Sequence, residues 1–429
     1  MGRVYTDYSF DSVNGYLTIN TDVSDYYDDS YVEAYWEDNS YFHESFYDST
    51  SFSFEFDVWD GGVFAHDISV ENDFTGEIET YSEDYHVYVY ASAGQSINGS
   101  GIRDIAFGSD FNDVISLGAA NDDAFGGAGN DYIDGGSGAD VMQGQTGNDI
   151  YIVSSTSDRT IEYAGQGTDI VRAFTHWTLS ANIERLELQG TANLVGTGNS
   201  LNNTIVGNSG ANTLRGAAGH DYLTGGVGAD TAYGGTGNDT YVVTSTSDRT
   251  IELAGEGSDV VRSSVNWTLA ANTERLELQG TTNLVGNGNS SNNALIGNGG
   301  TNVLRGAAGN DYIVGGAGKD TLVGGSGNDT FFFNAAFSVN NIDKITDYNP
   351  AQDTLQVENA IFTGLAAGWL AAAAFHIGNA AHDANDRIIY NSSNGDLLFD
   401  RDGTGSAAAM KFATLSPGLA VSAGDFFVV

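Results

Sequence analysis

With 429 residues the chain exceeds one ordinary globular core, so two or three structural units are expected. It carries 57 Gly, 57 Asp plus Glu, 15 Lys plus Arg and no Cys, for a formal charge of −42. That charge excludes nucleic acid and anionic membrane as natural partners, the absence of Cys excludes a disulfide scaffold, and glycine without a strict every-third-residue period excludes collagen.

The chain opens on Met1-Gly2-Arg3-Val4-Tyr5, without the apolar stretch of a cleavable secretory signal, and no run approaches the 18 apolar residues of a membrane span, so membrane insertion is not expected. Residues 1–98 hold 21 acids against one base, Arg3, and 23 of the 49 aromatic residues. Phe52, Phe54, Phe56 and Val58 alternate with Ser53, Glu55 and Asp57, and Val87 and Val89 alternate with Tyr88 and Tyr90. A period of two with one polar face predicts strands, and an acidic, aromatic-rich β domain over 1–98.

Repeats organise the middle of the chain. The stretch 241–330 repeats 151–240 at a period of 90 residues, so that YVVTSTSDRTIELAGEGSDVVR matches YIVSSTSDRTIEYAGQGTDIVR. Within this lies a period of nine. Six nonamers run from Gly99 to Ile152, five from Gly198 to Val242 and five from Gly288 to Phe332. Boundaries are therefore expected at 99–152, 153–242, 243–332 and 333–429.

GGAGNDYID, residues 126–134, shows what each nonamer is built to do. Glycines at its first, second and fourth positions admit the left-handed backbone of a tight turn and leave carbonyls exposed. Asp131 at the sixth position supplies a carboxylate, and the eighth position carries one apolar side chain in a three-residue strand. Two nonamers make one coil of 18 residues, and the turns of successive coils stack into an all-oxygen cage for a hard cation, which suits calcium better than magnesium. The candidate ligands are Asp104, Asp113, Asp122, Asp131, Asp140 and Asp149, then Asp221, Asp230 and Asp239, then Asp311, Asp320 and Asp329. Ligands of one site are expected 18 residues apart. The eighth position tests the pattern independently: it holds Ile115, Ile133, Met142, Tyr151, Leu214, Leu223, Tyr241, Leu304, Ile313, Leu322 and Phe331. Asn203, Asn212, Asn293 and Asn302 replace Asp at the sixth position and predict metal-poor coils held by backbone pairing and Asn ladders.

After Phe333 the nonamer stops. The Ala-rich segment 365–375 is expected to form one short helix, the rest strands and turns, with Asp400 to Gly405 read as a β-turn. No catalytic constellation is legible. His43-Glu44-Ser45-Phe46-Tyr47 lacks the second His of a zinc-protease motif, and there is no Gly-x-Ser-x-Gly elbow. His66 and His86 read as strand-face residues, His176, His376 and His382 as scattered, and His220 stands at a repeat position otherwise filled by Asn.

The nonamers are similar to the RTX (repeats-in-toxin, hemolysin-type) calcium-binding motif GGxGxDxUx, and the resemblance covers about residues 99–429. It implies an all-β, calcium-stabilised parallel β-roll with a C-terminal β cap. It also adds Asp169 and Asp259, which repeat the motif within AGQGTDIV and AGEGSDVV, as further calcium ligands. The ending Asp425-Phe426-Phe427-Val428-Val429 resembles the uncleaved signal of type I secretion substrates. The expectation is a non-enzymatic protein, secreted by or displayed on a Gram-negative bacterium, that folds on calcium after export and self-associates into a surface layer, filament or matrix. A calcium-dependent adhesin binding extracellular polysaccharide through residues 1–98 is the alternative, and a polysaccharide-modifying enzyme the weakest reading.

Overall fold

The computed structural model describes residues 96–429 in full and, before them, the side chain of Tyr88 and the backbone of eight strands between Tyr5 and Tyr90. The readings of His43, His66, His86 and Val58, and of the aromatic faces in the first 95 residues other than Tyr88, fall on side chains outside the described residues. Two compact units divide the chain, Met1–Glu187 and Leu188–Val429.

In the first unit, β1 (Tyr5–Ser12), β2 (Gly15–Val23), β3 (Asp29–Tyr35) and β4 (Tyr41–Tyr47) form an antiparallel sheet in chain order. β5 (Ser51–Phe56) pairs antiparallel with β6 (Ala65–Glu71), setting Phe52 opposite Val70 and Phe54 opposite Ile68. β7 (Glu77–Tyr81) pairs antiparallel with β8 (Tyr85–Tyr90), and there the topology changes. β8 is parallel to β10 (Arg103–Phe107), with Tyr85 opposite Arg103, and β9 (Ser96–Asn98) is parallel to β11 (Val114–Ser116), with Ser96 opposite Val114. The 18-residue register of the coils thus reaches back to Tyr85. One wall continues through β12 (Asp123–Ala128), β14 (Val141–Thr146) and β16 (Arg159–Ile161), the other through β13 (Tyr132–Asp134), β15 (Ile150–Val153) and β17 (Ile170–Ala173).

The second unit is built the same way. Thr213–Ala218, Thr231–Thr236 and Arg249–Ile251 stack in parallel on one wall, and Thr204–Val206, Tyr222–Thr224 and Thr240–Val243 on the other. The pattern repeats up to Thr330–Phe333 and Thr354–Val357. Asp343–Ile345 then passes one wall to an antiparallel meander of Met410–Thr414, Asp396–Phe399 and Ile388–Asn391. The last strand, Phe426–Val428, lies parallel against Thr354–Val357 and closes the other wall.

The helix expected over 365–375 is not there. Gly364 and Gly368 take left-handed φ values of 88° and 106°, Gly368–Trp369 pairs with the last strand, and a single 3₁₀ turn, Ala372–Ala374, is what remains. Helix propensity in a short Ala run yields to the strand pairing on either side of it.

Each coil is narrow, and its interior is the eighth position of the nonamer. Every residue named above for that position is at most 1% exposed. Stacking at intervals of 18 residues puts like on like, so at the ninth position Phe107 and Phe125 lie face to face with centroids 4.9 Å apart. Burying one such aliphatic side chain contributes roughly 1.5–3 kcal/mol. Position seven points outward. In calcium, Ile115→Ala is therefore expected to lower stability by about 2–5 kcal/mol, whereas Val114→Ala, at a residue 45% exposed, changes it by less than about 0.5 kcal/mol. Guanidinium unfolding of the two variants checks this, and equal losses would contradict the inward assignment of position eight.

Candidate metal centre

All fourteen predicted aspartates are buried, none more than 4% exposed, so each carboxylate must find partners inside the turns. One oxygen does so by a rule that runs along both units. The N–H of a sixth-position residue donates to Oδ1 of the sixth-position Asp one coil later. Asp113 donates to Asp131 at 2.8 Å, Asp131 to Asp149 at 2.7 Å, and Asp221 to Asp239 at 2.7 Å. The interval is the expected 18 residues within a block and lengthens where the nonamers stop: Asp149 donates to Asp169, and Asp239 to Asp259, over 20 residues at 2.8 Å. Position five runs the opposite way, its side chain accepting from the coil that follows. Asn130 Oδ1 accepts the Asn148 N–H at 2.7 Å, and His220 Nδ1 accepts the Asn238 N–H at 2.7 Å, filling the place of Asn in the ladder.

The second oxygen separates the candidates. In twelve of the fourteen, all but Asp104 and Asp113, Oδ2 is buried with no hydrogen-bond partner. In nine of the twelve it lies against the first glycine of its own nonamer, the first place being Leu117, Ala164 and Ala254 in the motifs of Asp122, Asp169 and Asp259. A Cβ added at Gly216 would collide with Asp221 Oδ2 and come within 2.5 Å of the Gly234 carbonyl one coil on, and Gly306 stands in the same relation to Asp311 Oδ2 and the Gly324 carbonyl. A carboxylate oxygen and a glycine carbonyl of the next coil thus border the same space. An unpaired buried carboxylate oxygen facing carbonyl oxygens repels them, and a hard cation with oxygen ligands removes that cost. These residues fit calcium.

What decides whether Oδ2 is left unpaired is the second residue of the nonamer, which composition alone does not single out. In all twelve motifs with an unpaired Oδ2, that residue is left-handed, with φ from 71° at Gln145 to 104° at Gly127. Three are not glycine: Gln145, Ala217 and Ala307 hold φ of 71°, 80° and 85°. In the six remaining nonamers the second residue is Ser or Asn outside that region, and its N–H caps the sixth side chain of the same nonamer. Ser100 and Ser109 donate to Asp104 and Asp113 Oδ2 at 2.6 Å. Asn199, Asn208, Asn289 and Asn298 donate in the same way to Oδ1 of Asn203, Asn212, Asn293 and Asn302, at 2.7 to 2.8 Å. The Asn amides also find acceptors: Asn293 Nδ2 donates to the Thr273 carbonyl at 3.1 Å and Asn302 Nδ2 to Asn298 Oδ1 at 3.0 Å. Asp104 and Asp113 belong with the Asn turns in this respect.

Four acids beyond the glycine-rich nonamers extend the ladder: Asp158 and Asp248 one period past the last nonamer of their blocks, Asp343 and Asp353 out of phase with it. Asp158, Asp248, Asp343 and Asp353 accept the N–H groups of Asp140, Asp230, Asp320 and Asp329, at 3.2, 3.2, 3.1 and 3.0 Å. Asp158 and Asp248 keep the 18-residue interval without the glycines of the motif, whereas Asp343 and Asp353 stand 23 and 24 residues on, where only pairing register finds them. Of the histidines read as scattered, His376 and His382 meet as stacked rings 5.4 Å apart, near Asp386.

The twelve carboxyls with an unpaired Oδ2 titrate high. Burial lifts them most, the N–H from the preceding coil pulls them back, and for most of them neighbouring carboxylates lift them again. Asp131 is pushed up to about 8, Asp122, Asp221 and Asp320 to about 7, and Asp140, Asp149, Asp169, Asp259 and Asp311 to about 6; Asp230, Asp239 and Asp329 are raised.

Comparison with known proteins places these turns. The model of the RTX calcium-binding nonapeptide repeat (4 copies) matches residues 98–133, 118–151, 197–232, 206–241 and 287–331. The chain carries RTX calcium-binding repeats. Among solved structures, a subunit of the Azotobacter vinelandii mannuronan C5-epimerase, determined in solution, is 27% identical over 34% of this chain and 79% of its own, with a TM-score of 0.25. No curated protein matches the chain. The five matches overlap into three stretches that coincide with the three runs of nonamers, and calcium is the ion their oxygen-only turns take.

Two outcomes follow for the RTX turns. A carboxyl whose pKa is higher folded than unfolded stabilises the metal-free fold fully below the usual carboxylate range and loses that effect as pH rises through 6 to 8. In chelator, β content by circular dichroism is therefore expected to fall between pH 5 and pH 8. Because calcium needs the same carboxylates deprotonated, the half-saturating calcium concentration should fall over pH 6 to 8. The opposite trend in either titration would refute the assignment. The second outcome concerns the second position. Asn208→Gly with Asn212→Asp should add one calcium ion to the chain, counted by native mass spectrometry, while Asn212→Asp alone adds none because Asn208 still caps the side chain.

Proposed function

We propose that the protein is an extracellular, non-catalytic structural protein whose solenoid folds on calcium after export, and that calcium then drives its self-association at a cell surface or in a matrix. The twelve aspartates with an unpaired Oδ2 are its calcium ligands, and Asp104 and Asp113 close their turns without an ion. The observation that carries this reading is that those twelve oxygens are built into the turns through which their own coils stack. A cation held there is a folding requirement, since its binding energy adds directly to the stability of the stacked coils. Low cytosolic calcium leaves such a chain threadable, and millimolar external calcium folds it, the range typical of extracellular calcium modules at about 10⁻⁴–10⁻³ M.

The C-terminus supports the same order of events. Phe426 and Val428 are buried in the strand that closes the second unit, and Asp425 accepts the Tyr348 hydroxyl at 2.9 Å. A type I exporter that reads these residues must engage them before the solenoid closes. Self-association draws on the charge of residues 1–98, 21 acids against one base, which sets copies of the chain against each other unless divalent ions stand between them.

The test is a calcium titration of the full-length chain followed by circular dichroism and light scattering together. Calcium is expected to raise β content cooperatively and then, at millimolar levels, the apparent mass. A spectrum that chelator leaves unchanged would sink the folding claim. Cooperative folding with a mass that stays monomeric at every calcium level would remove self-association, and specific capture on a glycan array would put the polysaccharide-binding adhesin in its place.

A further inference from the structure

Where the first two nonapeptide blocks end, a glutamate that the repeat motif does not contain turns into the coil. Glu162 is 5% exposed and sits in the longer coil that follows the last nonamer of the first block. Its Oε1 accepts the Tyr151 hydroxyl, and that hydroxyl in turn accepts the Gly144 N–H at 2.5 Å. The phenol is therefore oriented from both sides and fixes the carboxylate. Glu162 Oε2 is buried without a partner, as are Asp149 Oδ2 and Asp169 Oδ2. Ligand atoms of these three acids all lie within 4.8 Å of one another.

The second block repeats the arrangement independently. Glu252 is 5% exposed, Tyr241 donates its hydroxyl to Oε1, and Oε2 is unpaired beside Asp239 and Asp259, again within 4.8 Å. A Cβ added at Gly234 would collide with Asp239 Oδ2 and stand 2.5 Å from Glu252 Oε1, so these oxygens converge on one space. The third block departs from it. Phe331 replaces the tyrosine, and the Asp329 N–H goes to Asp353.

We propose that Glu162 and Glu252 are calcium ligands that the nonapeptide motif lacks: each joins the Asp149–Asp169 or the Asp239–Asp259 pair in a three-carboxylate site that clamps the last nonamer of its block to the longer coil beyond it. The geometry suits the ion. Calcium–oxygen distances of about 2.3–2.6 Å set ligands on opposite sides of one ion just under about 5 Å apart, the span these oxygens occupy. Three carboxylates meeting out of water need a compensating cation, and the tyrosine hydroxyl supplies only one hydrogen bond. Magnesium, which keeps several of its waters, fits a buried site of this kind poorly. Tyr151 and Tyr241 act as positioning residues that hold the glutamates toward the ion.

The proposal rests on the reading of the repeats as calcium sites, and counting ions separates the two. Native mass spectrometry of the full-length chain in calcium is expected to show two fewer ions in Glu162→Gln/Glu252→Gln than in the wild type, with the β spectrum retained. An unchanged count overturns the proposal and leaves a shared proton as the reason the acids tolerate each other. A wild-type chain that binds no calcium at all overturns the repeat reading instead. If the double glutamine variant does not fold, terbium decides. Tyrosine-sensitised terbium emission should fall in Tyr151→Phe/Tyr241→Phe, whose phenols stand beside the proposed ions, and emission equal to that of the wild type overturns the proposal.

Discussion

The structure depends on one buried carboxylate asked to do two things. Its Oδ1 takes the backbone N–H of the preceding coil, which sets the 18-residue stacking interval, and its Oδ2 is left facing the glycine turn and the carbonyls of the next coil. The first contact is made by protein alone. The second is repulsive until a cation enters, so stacking and ion binding share a single side chain. In a solenoid each coil touches only its neighbours, and stability is then close to a sum of coil and interface contributions. An ion between two turns acts directly on that interface.

Not every coil is made this way, and the exceptions fall in order. Each block opens with a pair of nonamers, one complete coil, whose sixth side chain is capped by the N–H of its own second residue: Asp104 and Asp113, Asn203 and Asn212, Asn293 and Asn302. The turns with an unpaired Oδ2 follow. A coil already satisfied by protein groups presents a finished edge on which the cation-dependent coils stack, which reduces the cost of nucleating each block separately. The left-handed second position that opens the turn to an ion is costly for any residue with a Cβ, and Gln145, Ala217 and Ala307 hold it nonetheless.

The C-terminal end of the described solenoid is closed rather than left as a bare edge. At the C-terminus, the strand Phe426–Val428 completes one wall while the meander around Ile388–Asn391 and Asp396–Phe399 completes the other. Capping of this sort removes the unpaired backbone groups that a stack of parallel strands would otherwise offer to any other chain. It also puts Phe426 and Val428, close to the end of the chain, inside the fold.

Much of this was legible in the sequence, because a period of nine carries its own geometry. The inward eighth position, the buried sixth position, the 18-residue coil and the weak turns at Asn203 and Asn302 follow from which residue types recur where, and the structure places Ile133, Asp131 and Asn302 accordingly. The same repetition put His220 in the Asn ladder. Local pattern failed where pairing at a distance decides. The Ala-rich run after Leu365 reads as helix but is held by its neighbours as strand and a single turn. Asp343 and Asp353 join the ladder over 23 and 24 residues, outside any motif. Glu162 and Glu252 lie outside the nonamers, and nothing adjacent in sequence marks them. Asp104 and Asp113 match the ligand pattern, yet their serine neighbours close the turn on them. The nonamer alone determined what each coil is made of. Which oxygens remain unpaired was decided by backbone conformation and by register between coils, properties that exist only once the coils are stacked.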